Sequence, residues 1–76
     1  MDAELFSEQV QVERKLFFFD LRENPRGRFL RVTEDVGGRR DTIIIPSTGL
    51  TQVRDVIDRA ITASDNAGPA DVERHE

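Results

Sequence analysis

The sequence predicts an α+β domain in which a four-stranded antiparallel sheet is followed by one helix. Three observations support this fold class. Segments with strand-like apolar patterns occupy the region before residue 46, turn-forming Gly, Pro and Asn residues separate them, and apolar residues at helical spacing begin only after residue 47. The element order is therefore β-β-β-β-α, and a length of 76 residues leaves room for one domain.

The first two strands are predicted over Leu5 to Val12 and Leu16 to Arg22. The first alternates loosely between apolar and polar residues, and the second contains three consecutive phenylalanines, the strongest strand signal in the chain. Residues 23–27 are predicted to form a turn, because Pro25 presets its own φ and Gly27 adopts a positive φ without strain.

The last two strands are predicted over Arg28 to Glu34 and Arg39 to Ile45. A flexible turn at Gly37-Gly38 separates them. Pro46 then ends the sheet, because proline lacks the amide donor that a strand ladder needs.

A helix is predicted after Pro46, with Ser47 or Thr48 positioned to cap its first turn. Its residues at helical spacing are Leu50, Val53, Ile57, Ala60, Ile61 and Ser64. Residues 65–76 are rich in acids and lack an apolar pattern, so we expect a flexible acidic tail after a folded domain over residues 4–64.

Composition limits the class of protein. The chain has no Cys and no long apolar segment, so the sequence predicts a cytoplasmic protein without a membrane span. Its only His, His75, is next to last, and the chain has neither a spaced set of metal ligands nor a Gly-rich phosphate loop. We therefore expect no enzyme activity, cofactor, metal or small-molecule substrate. A domain this small buries only about 60% of its unfolded surface, which favours oligomerisation.

Charge is unevenly distributed along the chain. The net charge is −4, but residues 14–40 hold eight basic and four acidic residues, a local balance of +4, which leaves −8 elsewhere. Seven of the eight basic residues are Arg, whose planar guanidinium suits phosphates and base edges. An ordinary solvated charged face is the alternative interpretation of this region.

Strand periodicity assigns these residues to faces. Phe17, Phe19, Leu21, Leu30, Val32, Ile43 and Ile45 share one face, which we expect the helix to cover. Phe18, Arg22, Phe29 and Arg31 then lie on the opposite face, where Asp20 is expected to pair with Arg22. Aromatic rings interleaved with Arg are typical of proteins that bind single-stranded nucleic acid.

The segment from Asp20 to Val32, DLRENPRGRFLRV, resembles a repeat of the PUR family, the purine-rich-element-binding proteins, and in particular their single-repeat bacterial relatives. The similarity extends from about Glu4 to Ile61. It implies a Whirly-like PUR fold in which two repeats intertwine through their helices. Because this chain supplies one PUR repeat, over residues 4–64, the resemblance implies a homodimer.

The resemblance also implies binding positions. A basic residue falls on Arg22, the family's Asn on Asn24, its Arg on Arg26 and its base-stacking aromatic on Phe29. The chain departs from the family pattern at Ser7-Glu8-Gln9, where eukaryotic repeats often contribute basic and small polar residues to the same surface. Three alternatives stay open, one for each residue. A dimer partner covers Phe29, Phe18 supports the sheet without touching a base, and Asn24 serves the turn before Pro25.

Two functions are therefore predicted. The first is binding of single-stranded DNA or RNA with a preference for purine-rich or guanine-rich sequence. It includes duplex destabilisation and a role in transcription or RNA regulation. The residues predicted to bind are Arg22, Asn24, Arg26, Arg28, Phe29, Arg31 and Phe18. The alternative is a protein-interaction module that docks an acidic partner on the same face. The first function implies a cytoplasmic protein associated with the nucleoid or with RNA.

Overall fold

A computed structural model describes residues 2–69. Four strands form one antiparallel sheet in the order β1-β2-β3-β4, followed by a 3-10 turn and a helix, which confirms the predicted fold class. The elements are β1 Ala3–Val12, β2 Lys15–Asn24, β3 Gly27–Val36, β4 Arg39–Pro46, the 3-10 turn Ser47–Gly49 and α1 Leu50–Asn66.

The strands are longer than predicted because each hairpin closes with only two residues outside the strands. The predicted turn over residues 23–27 is wrong in extent, since Glu23 pairs with Arg28 and Asn24 with Gly27. Between β3 and β4, Gly37 and Gly38 have φ values of 61° and 90°. Positive φ at both central residues suits the right-handed twist of the adjoining strands, which explains why two glycines occupy this turn.

A β-bulge at Leu5 interrupts the pairing of β1 with β2. Glu4 pairs with Arg22 and Phe6 with Leu21, so Leu5 has no partner on β2. Without the bulge, Glu4 and Phe6 would share a face, because side chains alternate along a strand. The bulge instead places Glu4 beside Arg22 and Phe6 beside the apolar Leu21.

The start of the helix differs from the predicted capping. Ser47 and Thr48 belong to the 3-10 turn, and Gly49 is the N-cap of α1 without a side-chain hydrogen bond. The prediction that Ser47 or Thr48 caps the α-helix is therefore wrong. Pro46, at φ −57° and ψ 142°, leads directly into the tighter turn, which separates both hydroxyl residues from the first α-helical amides.

The helix does not cover the sheet of its own chain, contrary to the prediction. Among residues 2–69 its extensive contacts are with the 3-10 turn alone, and none of these residues is a fully buried apolar residue. The radius of gyration is 15.0 Å, whereas a compact chain of this length has about 11 Å. The helix therefore projects from the sheet, and both keep apolar surface exposed.

The helix α1 extends to Asn66, two residues past the predicted end of the folded domain. Most of the predicted tail, residues 70–76, lies outside the described residues together with His75. Within residues 2–69, no helix is long and apolar enough to span a bilayer.

Candidate functional site

Strand pairing assigns the sheet side chains to two faces, because directly paired residues in an antiparallel sheet point to the same side. The apolar face, as predicted, carries Phe17, Phe19, Leu21, Leu30, Val32, Ile43 and Ile45, joined by Phe6 and Val10 of β1. The opposite face, here called the charged face, carries Glu4, Ser7, Gln9, Phe18, Asp20, Arg22, Phe29, Arg31, Thr33, Asp35, Arg40, Thr42 and Ile44.

Four of the predicted binding residues lie together on the charged face. Arg22 and Phe29 are direct partners across β2 and β3, and Arg31 follows Phe29 on the same side of β3. Phe18 lies on the same side of β2, four residues before Arg22. The structure thus brings two aromatic rings and two guanidinium groups to one surface.

The remaining predicted residues lie at the β2–β3 hairpin end. The Asn24 Oδ1 accepts hydrogen bonds from the backbone amides of Arg26 and Gly27, at 2.9 and 3.2 Å. This Asx turn holds Arg26 at the exposed tip of the hairpin. Because Oδ1 already accepts two bonds, the Asn24 side chain has its Nδ2 amide to offer to a ligand.

Arg28 is placed apart from the other predicted residues. It pairs with Glu23 across the hairpin and therefore lies on the apolar side of the sheet, at its end. Its Nη2 and Nε lie 2.6 and 2.8 Å from Glu23 Oε1. The structure does not bring Arg28 to the charged face beside Phe29.

Asp20 pairs with a different arginine from the one predicted. Its Oδ2 lies 3.4 Å from Arg31 Nη2, and its Oδ1 accepts a 2.7 Å hydrogen bond from the Ser7 hydroxyl. Arg31 is the direct cross-strand partner of Asp20. Arg22 lies two residues further along the same strand, where its side chain starts further from Asp20 than that of a direct cross-strand partner. The predicted pair of Asp20 with Arg22 is therefore wrong.

Arg22 is instead engaged by the acidic start of the chain. Its Nη1 lies 3.4 Å from Glu4 Oε1 and its Nε lies 3.5 Å from Asp2 Oδ2. The Arg22 side chain is only 20% exposed, and its Nε has no hydrogen-bond partner that meets the geometric limits. The bulge at Leu5 produces this contact by placing Glu4 on the charged face.

Arg40 is a member of the charged face that the sequence-based prediction of the site omitted. Its Cζ lies 5.1 Å from the centre of the Phe18 ring, and its Nε bonds Asp35 Oδ2 at 2.8 Å. Alternation along β4 places Arg40, Thr42 and Ile44 on one side, so the period-two count that located Phe29 also contains the signal for Arg40.

These side chains surround a shallow hollow in the charged face. Its volume is about 310 Å³. The Thr33 and Thr42 hydroxyls lie 3.2 Å apart beside it, so one hydroxyl donates to the other. Its lining residues are Phe18, Asp20, Arg31, Thr33, Arg40 and Thr42. The hollow therefore combines an aromatic ring, two cations, one carboxylate and hydroxyl groups.

The charged face is more nearly neutral than the count over residues 14–40 indicates. Arg22, Arg31 and Arg40 each have a carboxylate within 3.5 Å. Among the described contacts, Arg26 at the hairpin tip has no such carboxylate. A phosphate could therefore bind the Arg26 guanidinium without displacing a carboxylate. At Arg22, Arg31 and Arg40 it would compete with a carboxylate for the guanidinium.

Glu8 does not lie on the charged face. It pairs with Phe19 and belongs to the apolar face, whereas Ser7 and Gln9 pair with Asp20 and Phe18. The first strand thus contributes polar, uncharged groups to the charged face at residues 7 and 9.

Among residues 2–69 the structure holds no group of three or more potential metal ligands.

Comparison with known proteins identifies the family. Residues 1–75 match the family described as PurA ssDNA and RNA-binding protein. The chain is 45% identical over 65 residues to Transcription factor Pur-alpha 1 of Arabidopsis thaliana, covering 86% of this chain and 22% of that protein. It is 41% identical over 54 residues to Transcriptional activator plp-1 of Caenorhabditis elegans, covering 67% of this chain and 24% of that protein.

A human relative matches more distantly but over a similar length. The chain is 29% identical over 68 residues to Transcriptional activator protein Pur-alpha of Homo sapiens, covering 88% of this chain and 21% of that protein. The chain thus spans about a quarter or less of the length of these three relatives. The family consists of nucleic-acid-binding proteins rather than enzymes, in agreement with the prediction. Together with the four strands and one helix of the fold, the match over residues 1–75 shows that the chain belongs to the PurA family of single-stranded DNA- and RNA-binding proteins.

Proposed function

We propose that the charged face binds single-stranded DNA or RNA. The observation that carries this proposal is the direct pairing of Arg22 with Phe29 beside the unpaired Arg26 at the hairpin tip. Phe29 is half-buried and keeps part of its ring accessible. A base stacked on an aromatic ring gains about 1–3 kcal/mol, and adjacent guanidinium groups bind the phosphates of the same strand. Family membership independently supports nucleic acid as the ligand.

The aromatic and basic residues have separate roles in binding. Phe29 stacks a base, and Phe18 stacks a second base at the hollow. Arg26 binds a phosphate directly, while Arg22 and Arg31 do so by exchanging their carboxylate partners for phosphate oxygens. Arg28, which is about half exposed at the hairpin end, adds positive potential near the tip without contacting the stacked bases.

The same geometry supports a preference for guanine among purines. Guanine presents two acceptors, O6 and N7, to a guanidinium, whereas the paired contact of Asn with adenine requires the amide to donate and to accept. The Asn24 Oδ1 is occupied by the amides of Arg26 and Gly27, so this side chain offers only a donor. Duplex destabilisation follows if the Phe29 ring inserts between stacked bases.

We further propose that two copies of the chain form an intertwined homodimer. Among residues 2–69 no element covers the apolar face, and Ile57 and Ile61 on α1 are 54% and 53% exposed. A helix that projects from its own sheet is positioned to cover the sheet of a second copy, and the exchange would supply the core that one chain lacks.

The wider biological role belongs to the same proposal. The named relatives are a transcription factor and transcriptional activators, which supports a role in transcription or RNA regulation. A cytoplasmic location in association with the nucleoid or with RNA fits such a role.

A second function is favoured by the ion pairs on the charged face. The three arginines at Arg22, Arg31 and Arg40 already contact carboxylates, as they would with an acidic protein segment. The alternative is therefore a protein-interaction module in which a partner's acidic side chains replace these internal carboxylates.

Fluorescence anisotropy distinguishes the two functions. A labelled guanine-rich single strand, a pyrimidine strand of equal length and the corresponding duplex are titrated at two salt concentrations. We expect the guanine-rich strand to bind most tightly, with a log–log salt slope of about −0.7 for each phosphate neutralised. Absence of binding at low salt, or affinity unchanged by Arg26→Ala and Phe29→Ala, would contradict nucleic-acid binding. Arg59→Ala on α1 is the matched control for loss of one positive charge.

A further inference from the structure

Glu8 is an acidic side chain within the apolar face. It lies between Phe6 and Val10 on the same side of β1 and pairs directly with Phe19 on β2. Among residues 2–69, no hydrogen bond or ion pair involves its carboxylate. The acids Glu23 and Glu34, which share this side of the sheet, instead pair with Arg28 and Lys15.

If another element covers the apolar face, the Glu8 carboxylate is buried without a partner unless that element provides a cation. A charged group removed from water without a partner is strongly destabilising, so buried charges in proteins are paired. The proposed dimer therefore places a chemical requirement on its own interface. The element that covers the region around Phe6, Glu8 and Val10 must carry a positive charge next to apolar side chains.

The helix α1 meets this requirement at one position. Its two basic residues are Arg54 and Arg59. At 100° per residue, Arg54 lies about 20° from Ile61 and about 40° from Leu50 around the helix axis, whereas Arg59 lies about 160° from Ile61. Arg54 thus adjoins the apolar stripe, and Arg59 lies on the opposite side of the helix.

Arg54 is also free to change its partner. Its side chain is 69% exposed, and its Nη2 lies 3.1 Å from Asp55, its neighbour in sequence. An exposed ion pair of this kind contributes little to stability. Arg54 can therefore leave Asp55 and pair with a carboxylate at an interface with little loss of helix stability.

We propose that Glu8 of one copy forms an ion pair with Arg54 of the second copy when α1 covers the apolar face. This inference rests on the homodimer proposed above and specifies how the two copies are aligned. Twofold symmetry makes the contact occur twice, since each chain provides one Glu8 and one Arg54. The pair sets the position of the helix along the sheet, which apolar contacts alone define less sharply.

Charge reversal tests the pair. Dimer dissociation constants are measured by sedimentation equilibrium for the unmodified chain, Glu8→Arg, Arg54→Glu and the double variant. We expect each single reversal to raise the dissociation constant at least about tenfold, and the double variant to return within about threefold of the unmodified chain. Gln9→Arg, on the other face of β1, and Arg59→Glu, on the other side of α1, are the controls and should leave the constant within about threefold.

The outcomes separate this inference from the proposals on which it rests. A chain that sediments as an 8.7 kDa monomer at micromolar concentration overturns both the dimer and the pair. A stable dimer in which the double variant is no tighter than the two single effects combined overturns the pair alone. Weakening by Glu8→Arg without weakening by Arg54→Glu assigns another cation to Glu8 and also overturns it. Circular dichroism of each variant reports folding, and a double variant that does not fold contradicts the expected rescue.

Discussion

The Arg40 guanidinium lies 5.1 Å from the centre of the Phe18 ring, on the face of the sheet proposed to bind nucleic acid. The contact joins the cation of β4 to the aromatic residue of β2 across the intervening strand. A cation over an aromatic ring at an exposed site contributes about 0.5–1 kcal/mol. The pair therefore holds an aromatic ring and a positive charge side by side at the hollow.

Replacement of Arg40 tests whether the hollow takes part in binding. We expect Arg40→Ala to weaken single-strand binding about two- to fivefold. The salt slope should fall by about 0.7, because one phosphate contact is lost. Anisotropy titrations over a range of salt concentrations measure both quantities. Arg59→Ala removes the same charge from α1, and an equal effect of the two variants would show that Arg40 acts only through overall charge.

Neutralising the acid beside Arg22 should strengthen binding. Glu4→Gln removes the carboxylate 3.4 Å from Arg22 Nη1 and makes the guanidinium available to a phosphate. We expect the affinity for a single strand to rise about two- to fivefold. Asp58→Asn changes the charge equally on α1 and should have a smaller effect. If Glu4→Gln leaves the affinity unchanged, competition between the Glu4 carboxylate and phosphate for Arg22 is excluded.

The contributions of stacking and of charge to the affinity should differ in their dependence on salt concentration. Phe29→Ala is expected to lower affinity about 5- to 150-fold, because one stacked base is lost. Its salt slope should stay unchanged, whereas Arg26→Ala should reduce the slope by about 0.7. Phe29→Trp keeps a stacking ring and serves as the control. A Phe29→Ala variant that binds normally would show that Phe29 supports the fold or the dimer instead.

The amide of Asn24 is expected to affect base preference without affecting the turn. Asn24→Asp keeps an oxygen that accepts from the amides of Arg26 and Gly27, but it removes the Nδ2 donor. The ratio of affinities for guanine-rich and adenine-rich strands should fall about two- to tenfold, the contribution of one hydrogen bond. Taking the ratio cancels the uniform repulsion between the new charge and phosphate. An unchanged ratio would restrict Asn24 to its role in the turn.

The stability of the fold should depend on protein concentration. No apolar residue in the described part of the chain is fully buried, so the proposed dimer would supply most of the core. We expect the thermal midpoint to rise with concentration, and Ile57→Asp to raise the dimer dissociation constant at least about tenfold. Thr62→Asp, about 100° around the helix from Ile61 and about 120° from Val56, is the control. A midpoint independent of concentration would contradict an obligate dimer.

Much of the candidate site was predictable because strand alternation is a local property. Counting by two from Phe17 and from Leu30 placed Phe18, Arg22, Phe29 and Arg31 on one face, as the pairing confirms. The same count assigns Arg28 to the other face, although the predicted set of binding residues included it. The resemblance covers the whole hairpin, including Arg28, whereas strand alternation separates Arg28 from Phe29.

The sequence by itself determined the order of the elements, the two faces of the sheet and the turn at Gly37-Gly38, because these depend on the geometry of neighbouring residues. The tertiary structure decided which charges meet and where the helix lies. Asp20 reaches Arg31, and Glu4 reaches Arg22, because cross-strand register and the bulge at Leu5 bring together residues distant in sequence. The helix stands away from its own sheet because the 3-10 turn after Pro46 sets its direction, which helical periodicity does not encode.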